Sequence, residues 1–182
     1  DGGKDAFFVL TDVRLEDDVK RMIETSVDRY GRVDILVNGA GLAMAGDALE
    51  LSEEDWDSCM AVNLKGAWYC SKHSIRHMPK TGGSIVNIAS THPLRSQPSF
   101  FPYAVAKGGM LALTGRMATD FGPWGVPAHT SGPGVIRPPM NSSALSKLRE
   151  SPEQFQKFLA LHPLRCLGRA EDVAYACLFL AS

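Results

Sequence analysis

The chain has almost no excess of charge of either sign. Its 19 lysines and arginines stand against 20 aspartates and glutamates, a net charge of −1 over 182 residues. That balance argues against a surface that tracks nucleic-acid phosphates and against a basic membrane patch. No apolar run approaches a membrane-spanning length, and the opening Asp1-Gly2-Gly3-Lys4-Asp5 has nothing of a signal peptide. Cys59, Cys70, Cys166 and Cys177 form no Cys-x-x-Cys pair and no disulfide-like framework, a pattern that fits reduced thiols and a cytoplasmic location. His73 and His77 lie four apart, but the glutamate of a His-Glu-x-x-His motif and a third ligand are missing. No metal site is expected. Internal repeats and low-complexity segments are absent. At 19.7 kDa the length suits a single domain, 1–182, with a substantial core.

The most informative stretch runs from Ser84 to Lys107. Ser84-Ile85-Val86-Asn87-Ile88-Ala89 follows a Gly82-Gly83 turn and carries no charge, which predicts a buried strand delivering Ser90 at its C-terminal end. After a loop broken by Pro93, Pro98 and Pro102, a helical pattern starts at Tyr103. Tyr103 and Lys107 are four apart and so share a helix face, ~6 Å from one another. A phenol titrates near 10, too high for a base at neutrality, and a fixed ammonium nearby favours the phenolate. Ser90 can then hold a carbonyl or hydroxyl oxygen while Tyr103 moves its proton. Given a hydride carrier, those parts interconvert an alcohol and a ketone. By itself a Tyr-x-x-x-Lys spacing marks no more than an ordinary helix start.

Elsewhere the pattern alternates between strands and helices. Ala6–Leu10 is a short apolar run that suits a strand buried on both faces, followed by Asp12-Val13. Leu15 to Tyr30 carries Val19, Met22, Ile23 and Val27 at helical spacing, with Gly31 as its stop. Val33–Val37 reads as the next strand, ending in Asn38-Gly39-Ala40-Gly41, where small residues let the backbone approach a ligand. Ser52 with Glu53, Glu54 and Asp55 marks a helix start, and the helical pattern runs to about Met78 with Asn63 in its middle. Tyr103 to about Phe121 is a helix rich in small residues. Pro127 and His129 make Val126–Gly132 a poor strand, because proline donates no ladder hydrogen bond. Met140 to His162 is polar and helical, and a last helix is predicted over Ala170–Leu180.

Taken in order and spacing, Asn38-Gly39-Ala40-Gly41, Val62-Asn63-Leu64-Lys65-Gly66, Ser90 thirteen residues before Tyr103, Lys107 and Pro133-Gly134-Val135-Ile136 resemble the short-chain dehydrogenase/reductase family. The resemblance runs from about Thr11 to the end of the chain. It implies an α/β fold, a Rossmann-like doubly wound parallel sheet in three α/β/α layers, and a catalytic set of Asn63, Ser90, Tyr103 and Lys107. In that set Tyr103 is the acid/base, Lys107 lowers its pKa and binds the nicotinamide ribose, and Ser90 polarises the substrate oxygen. Asn63 bends its helix and supports a proton relay. NAD or NADP is the implied cofactor. Its contacts would be Asp12 and Val13 beside the adenine, Asn38, Ala40 and Gly41 at the turn, Tyr103 and Lys107, and the backbone of Pro133, Gly134 and Ile136. Ser90, His92 and Tyr103 would bind the substrate, the 140–162 region would form a lid, and the two long helices would make a homodimer or homotetramer.

The chain departs from the family at Gly39, where a second asparagine is usual. It departs again at Pro138, where a threonine would reach the cofactor's pyrophosphate. A Gly-rich first strand and turn before Ala6 and a closing strand after Ser182 are not in the sequence. The expectation is therefore a sheet incomplete at both ends, with a slot of about 14 Å between Ala6–Asp12 and Val33–Asn38. The implied function is that of an NAD(P)-dependent oxidoreductase interconverting a secondary alcohol and a ketone. His92, Arg95 and Gln97 lean towards a sugar or polyol, whereas Phe100 and Phe101 lean towards an apolar ketone or a 3-oxoacyl thioester. The reading from another class is a non-catalytic relative that serves as a binding or assembly module.

Overall fold

Apolar residues at helical spacing behind three acids form helix α1, Glu16–Tyr30, in the computed structural model. Those acids, Glu16, Asp17 and Asp18, stand where the helix dipole favours negative charge. Gly31 stops the helix at φ 85°, a left-handed conformation that suits glycine, and its N–H bonds back to Val27 O at 2.7 Å. The structure describes residues 5–79, 82–95, 97–137 and 150–182.

Strand β1, Ile35–Asn38, leads into helix α2, Glu53–Met60. Ser52 caps that helix by accepting the N–H of Asp55 at 3.1 Å. A π turn, Ala61–Lys65, joins α2 to α3, Gly66–Ser74. Strand β2, Ser84–Ile88, precedes the long helix α4, Phe101–Phe121. Strand β3, Ala128–Ser131, and helices α5, Pro152–Ala160, and α6, Ala170–Leu180, complete the order. The sheet is parallel in the order β1-β2-β3, with Val37 opposite Val86 and Val86 opposite His129.

Period-two alternation sorts the strand residues between two helix layers. Ile85 packs with Ile75, Met117 and Val126, and Leu36 joins the same cluster, so this face meets α3 and α4. Leu36 and Val33 also pack against Val19, Ile23 and Cys70, which brings α1 into that layer. On the opposite face Ser84 donates to Leu180 O of α6 at 3.3 Å. The result is the expected three-layer α/β/α arrangement. Because α6 lies over β2 and β3, Ile35 and Val37 on the outer strand remain about half exposed.

Two strand expectations change. Ala6–Leu10 is not a strand: no ladder pairs it among the described residues, and Phe8 and Leu10 are exposed. An apolar run becomes a strand only when a neighbour takes its backbone groups. Conversely β3 forms a regular ladder despite Pro127 and His129. Pro127 contributes its carbonyl, which accepts the N–H of Ile85 at 2.9 Å, so its missing donor is not needed. Residues 138–149, which hold Pro138 and the first part of the expected lid, lie outside those described.

A polar network ties the first two strands to α3 and α4. Asn38 Nδ2 donates to Asn87 Oδ1 at 2.7 Å and to Ser71 Oγ at 3.1 Å. Asn87 Nδ2 donates to Thr114 Oγ1 at 2.8 Å, and Thr114 passes its own proton to Met110 O at 2.7 Å. Buried amides are stabilising only while each partner is present. Replacing Asn87 with leucine strands Asn38 at one end and frees Thr114 at the other. The expected loss is about 2–3 kcal/mol in urea unfolding; a midpoint and slope equal to the parent's would show that the network adds no stability.

Candidate active site

The expected catalytic groups gather where the strands end. Ser90 lies just past β2, in a segment that continues the sheet: Ala89 N–H bonds Ser131 O at 2.8 Å and Thr91 N–H bonds Pro133 O at 3.2 Å. Those bonds fix Ser90 between Asn38-Gly39-Ala40-Gly41 on one side and Pro133-Gly134 on the other. The C-terminal end of a parallel sheet is where such folds bind ligands. Pro102 near the first turn of α4 helps start the helix, so that Tyr103 and Lys107 project from one face.

Tyr103 and Ser90 are joined through their hydroxyls. Lys107 is 3 % exposed and donates from Nζ to Ile88 O at 2.7 Å. Its Nζ stands 5.7 Å from the centre of the Tyr103 ring. Burial pulls the Lys107 ammonium down from its ordinary 10.5 to about 8. Burial also pushes the Tyr103 phenol up, and only the Ser90 hydrogen bond acts against that. The expected lowering of Tyr103 by Lys107 therefore does not emerge in this arrangement. The ammonium is turned to a backbone carbonyl and is itself short of solvation.

Asn63 is fully buried at the centre of the π turn. In that turn the hydrogen bonds step back five residues, as from Gly66 N–H to Ala61 O. The Asn63 carboxamide fills the disturbance. Its Nδ2 donates to Cys59 O at 3.0 Å and to Leu42 O at 2.9 Å, and its Oδ1 accepts Leu42 N–H at 3.1 Å. The helix thus grips the loop after Gly41. A Cβ on Gly41 would stand 3.2 Å from Asn63 Oδ1 and 3.7 Å from Lys107 Nζ, so the backbone there passes directly over the buried pair.

The remaining expected contacts divide. Ala40 and Gly41 are exposed at the strand end, and Pro133, Gly134 and Ile136 are placed beyond β3. Ile136 bridges to Gly168, whose N–H donates to Val135 O at 3.1 Å. Asn38 differs: its side chain is committed to the core, which leaves only its backbone towards the strand end. Asp12 holds Arg14 in a two-oxygen fork, from Nε at 2.9 and 3.0 Å and from the terminal nitrogen at 2.6 Å. That guanidinium pulls the Asp12 carboxyl down to about 2. Val13 is packed inward against the α1–α3 cluster.

His92 stacks edge-on to Tyr103, with ring centres 5.4 Å apart, and lies 5.0 Å from Phe100. Its backbone N–H donates to Ser90 Oγ at 3.3 Å. Phe101 lines a cleft of about 440 Å³ with Phe100, Pro93, Val105 and Gly108. By helical spacing Phe101, Val105 and Gly108 share a face of α4 distinct from that of Tyr103 and Lys107. The cleft therefore flanks the Ser90 and Tyr103 hydroxyls without containing them. His73 pairs with Glu16 at 3.0 Å.

Two participants were not singled out from the sequence. Cys59 is fully buried one turn before Asn63, and its sulfur lies 3.4 Å from Asn63 Nδ2. Burial pushes its thiol up, while Asn63 and the Lys107 charge pull it down. Gly66 was quoted within a motif and given no role. The available signal for both was their spacing from Asn63.

Comparison with known proteins bears on the family and the fold. The family described as enoyl-(acyl carrier protein) reductase matches residues 1–182. An uncharacterized oxidoreductase of Thermotoga maritima is 36 % identical over 183 residues, covering 98 % of this chain and 71 % of that protein. A solved structure of ElxO with NADP bound superposes with a TM-score of 0.86 at 32 % identity, over 97 % of this chain and 71 % of that one. Ligand-free aldohexose dehydrogenase of Thermoplasma acidophilum gives 0.90 at 29 % identity, over 100 % of this chain and 73 % of that one.

The buried ammonium has a consequence for stability. A lysine whose folded pKa is about 8 against an ordinary 10.5 holds its proton more tightly in the unfolded chain. Between those values the unfolded state binds more protons, so stability rises with pH across the window. Lys107→Met removes the charge and its solvation penalty. We expect it to be more stable than the parent at pH 7 by about 1–2 kcal/mol, the Ile88 bond being lost in partial offset. The advantage should shrink as pH climbs from 8 towards 10. Urea unfolding at pH 7 and pH 9.5 measures this, and a variant less stable at pH 7 contradicts it.

Proposed function

The chain belongs to the short-chain dehydrogenase/reductase family, and from that premise we propose that it interconverts a secondary alcohol and a ketone with NAD or NADP. The observation that carries the reading is the Ser90–Tyr103 hydroxyl pair standing over the buried Lys107. Relatives support the cofactor: ElxO is described with NADP bound. The residues present also fit such a group. Glycine at 41 leaves room directly over Asn63 and Lys107 that a side chain would fill. Asp12, Val13, Ala40, Gly41, Lys107 and the backbone of Pro133, Gly134 and Ile136 would hold it. When bound, the dinucleotide gives or takes the hydride at the carbinol carbon.

The chain's own part is positioning and proton transfer. Ser90 donates a hydrogen bond to the substrate oxygen and orients the carbonyl. Tyr103 gives its proton to that oxygen during reduction and takes one during oxidation. Lys107 keeps a positive charge under the site and would hold the nicotinamide ribose hydroxyls. Asn63 fixes the helix beside them and supports replenishment of the proton from solvent. His92 faces the substrate side of Tyr103. Aldohexose dehydrogenase among the structural relatives supports a sugar or polyol. A 3-oxoacyl thioester is the second substrate reading, supported by the acyl-carrier description of the matching family. A turnover screen over sugars, secondary alcohols and oxoacyl thioesters separates the two.

The reading includes a cytoplasmic location and a homodimer or homotetramer. No helix among the described residues is long and apolar enough to cross a membrane, and the cysteines are free. An apolar groove of about 410 Å³ runs along Met60, Leu64, Trp68, Gly109 and Leu113. Trp68 is 43 % exposed there and Phe101, further along α4, is 41 % exposed. A second copy laid across α3 and α4 would cover both. Light scattering should report at least a dimer, and Trp68→Glu should shift it towards monomer; a parent that stays monomeric at high concentration contradicts the assembly.

Tyr103→Phe deletes one hydroxyl and little packing. It should remain folded by circular dichroism while ketone reduction falls at least about 100-fold. Turnover equal to the parent's would remove Tyr103 from the chemistry, whereas a parent that turns over none of these substrates would leave the non-catalytic binding module as the better reading.

A further inference from the structure

Gly66 opens α3 directly after the π turn that carries Asn63. A Cβ at this position would lie 2.9 Å from both Cβ and Cγ2 of Val13 and 3.1 Å from Val13 O. Atoms do not pack that closely, so the missing side chain is what lets the 12–13 turn seat on the helix. Val13 also packs with Val19, Ile23 and Cys70, and it follows Asp12 in the chain. How far Asp12 stands from the strand ends therefore depends on the depth of the Val13–Gly66 contact.

We propose that Gly66 is a positioning residue for the adenosine half of the dinucleotide, acting through Val13 and Asp12. The proposal rests on the reading of Asp12 and Val13 as cofactor contacts. Its content beyond that reading is which side of the contact yields when crowded. The π turn is held by the Asn63 carboxamide, with bonds of 2.9–3.1 Å to Leu42 and Cys59. Leu64 is also locked against α4, where a Cβ on Gly109 would come within 2.8 Å of it. Further along α3, Lys72 and His73 both hold Glu16 at the start of α1. The 12–13 turn is held by bonds within residues 12–18: Asp12 N–H donates to Asp18 Oδ2 at 3.1 Å, Asp12 O accepts Leu15 N–H at 3.0 Å, and the exposed Arg14 holds its carboxylate, so the turn can shift as a unit. A methyl group at 66 displaces the 12–13 turn and leaves the Asn63–Lys107 side in place.

The test separates the two halves of the cofactor. Calorimetric titration of Gly66→Ala with ADP and with nicotinamide mononucleotide should show ADP and dinucleotide binding weakened about tenfold. Nicotinamide mononucleotide affinity and the pH profile of turnover at saturating dinucleotide should match the parent. Should Gly66→Ala not fold, Val13→Ile presses on the same contact from the other side and should weaken ADP alone. Parental ADP affinity in these variants, or equal loss of both halves, overturns the proposal. Asp12→Asn supplies the control: unchanged ADP binding there refutes the cofactor reading of Asp12 itself. Weakened binding there with an unaffected Gly66→Ala refutes only the role given to Gly66.

Discussion

The π turn at Ala61–Lys65 is the constraint on which the rest of the structure depends. One extra residue in a helical turn shifts the ladder and leaves backbone groups to be satisfied by other means. Asn63 does this with its side chain, and in doing so fastens α2 to the loop after Gly41. Three glycines then meet the same few residues: Gly41 over Asn63, Gly66 against Val13, and Gly109 against Leu64. Each permits a close approach that a side chain would crowd. The loop after β1, the turn before α1 and the helix bearing Tyr103 are thereby referred to one point. An asparagine is a poor residue for a helix interior, and here that weakness is what makes the junction.

Beneath that junction the sheet is held by polar contacts as well as by apolar packing. Asn38, Asn87, Ser71 and Thr114 link two strands to two helices through bonds that fix both register and depth. The register matters because the reacting groups sit one or two residues past the strand ends, and a slip of one residue would turn Ser90 away. Above the sheet, Lys107 is kept charged in a place where its charge is poorly solvated. The fold thus holds an unfavourable group in position, which is the relation expected where stability is given up for function.

Much of this was legible in the sequence. Ser84–Ile88 and the helix beginning near Tyr103 follow from local pattern, and Ser52 and Gly31 mark helix ends by known capping chemistry. Other features depend on partners that local pattern does not name. Ala6–Leu10 has the composition of a buried strand, yet no neighbour pairs with it among the described residues. Pro127 looks disruptive until the ladder is seen to need only its carbonyl. Tyr103 and Lys107 share one face of α4 as their spacing implies, but the expected effect of Lys107 on Tyr103 depended on distance and burial. At 5.7 Å from the ring, with its nearest bond to Ile88 O, the ammonium leaves burial to dominate the phenol. Val13 and Gly66 are far apart in sequence, and nothing in their local pattern announces that they touch.

The central claim, that this protein moves a hydride between a nicotinamide and a carbinol carbon, is tested most directly by following the hydride itself. The protein is supplied with reduced dinucleotide deuterated at the transferable position and with each ketone class in turn, and the alcohol is examined by mass spectrometry. The account predicts one deuterium on the carbinol carbon of at least one product, formed in step with oxidation of the dinucleotide. Dinucleotide binding without any labelled alcohol from the sugars, ketones and oxoacyl thioesters would contradict it.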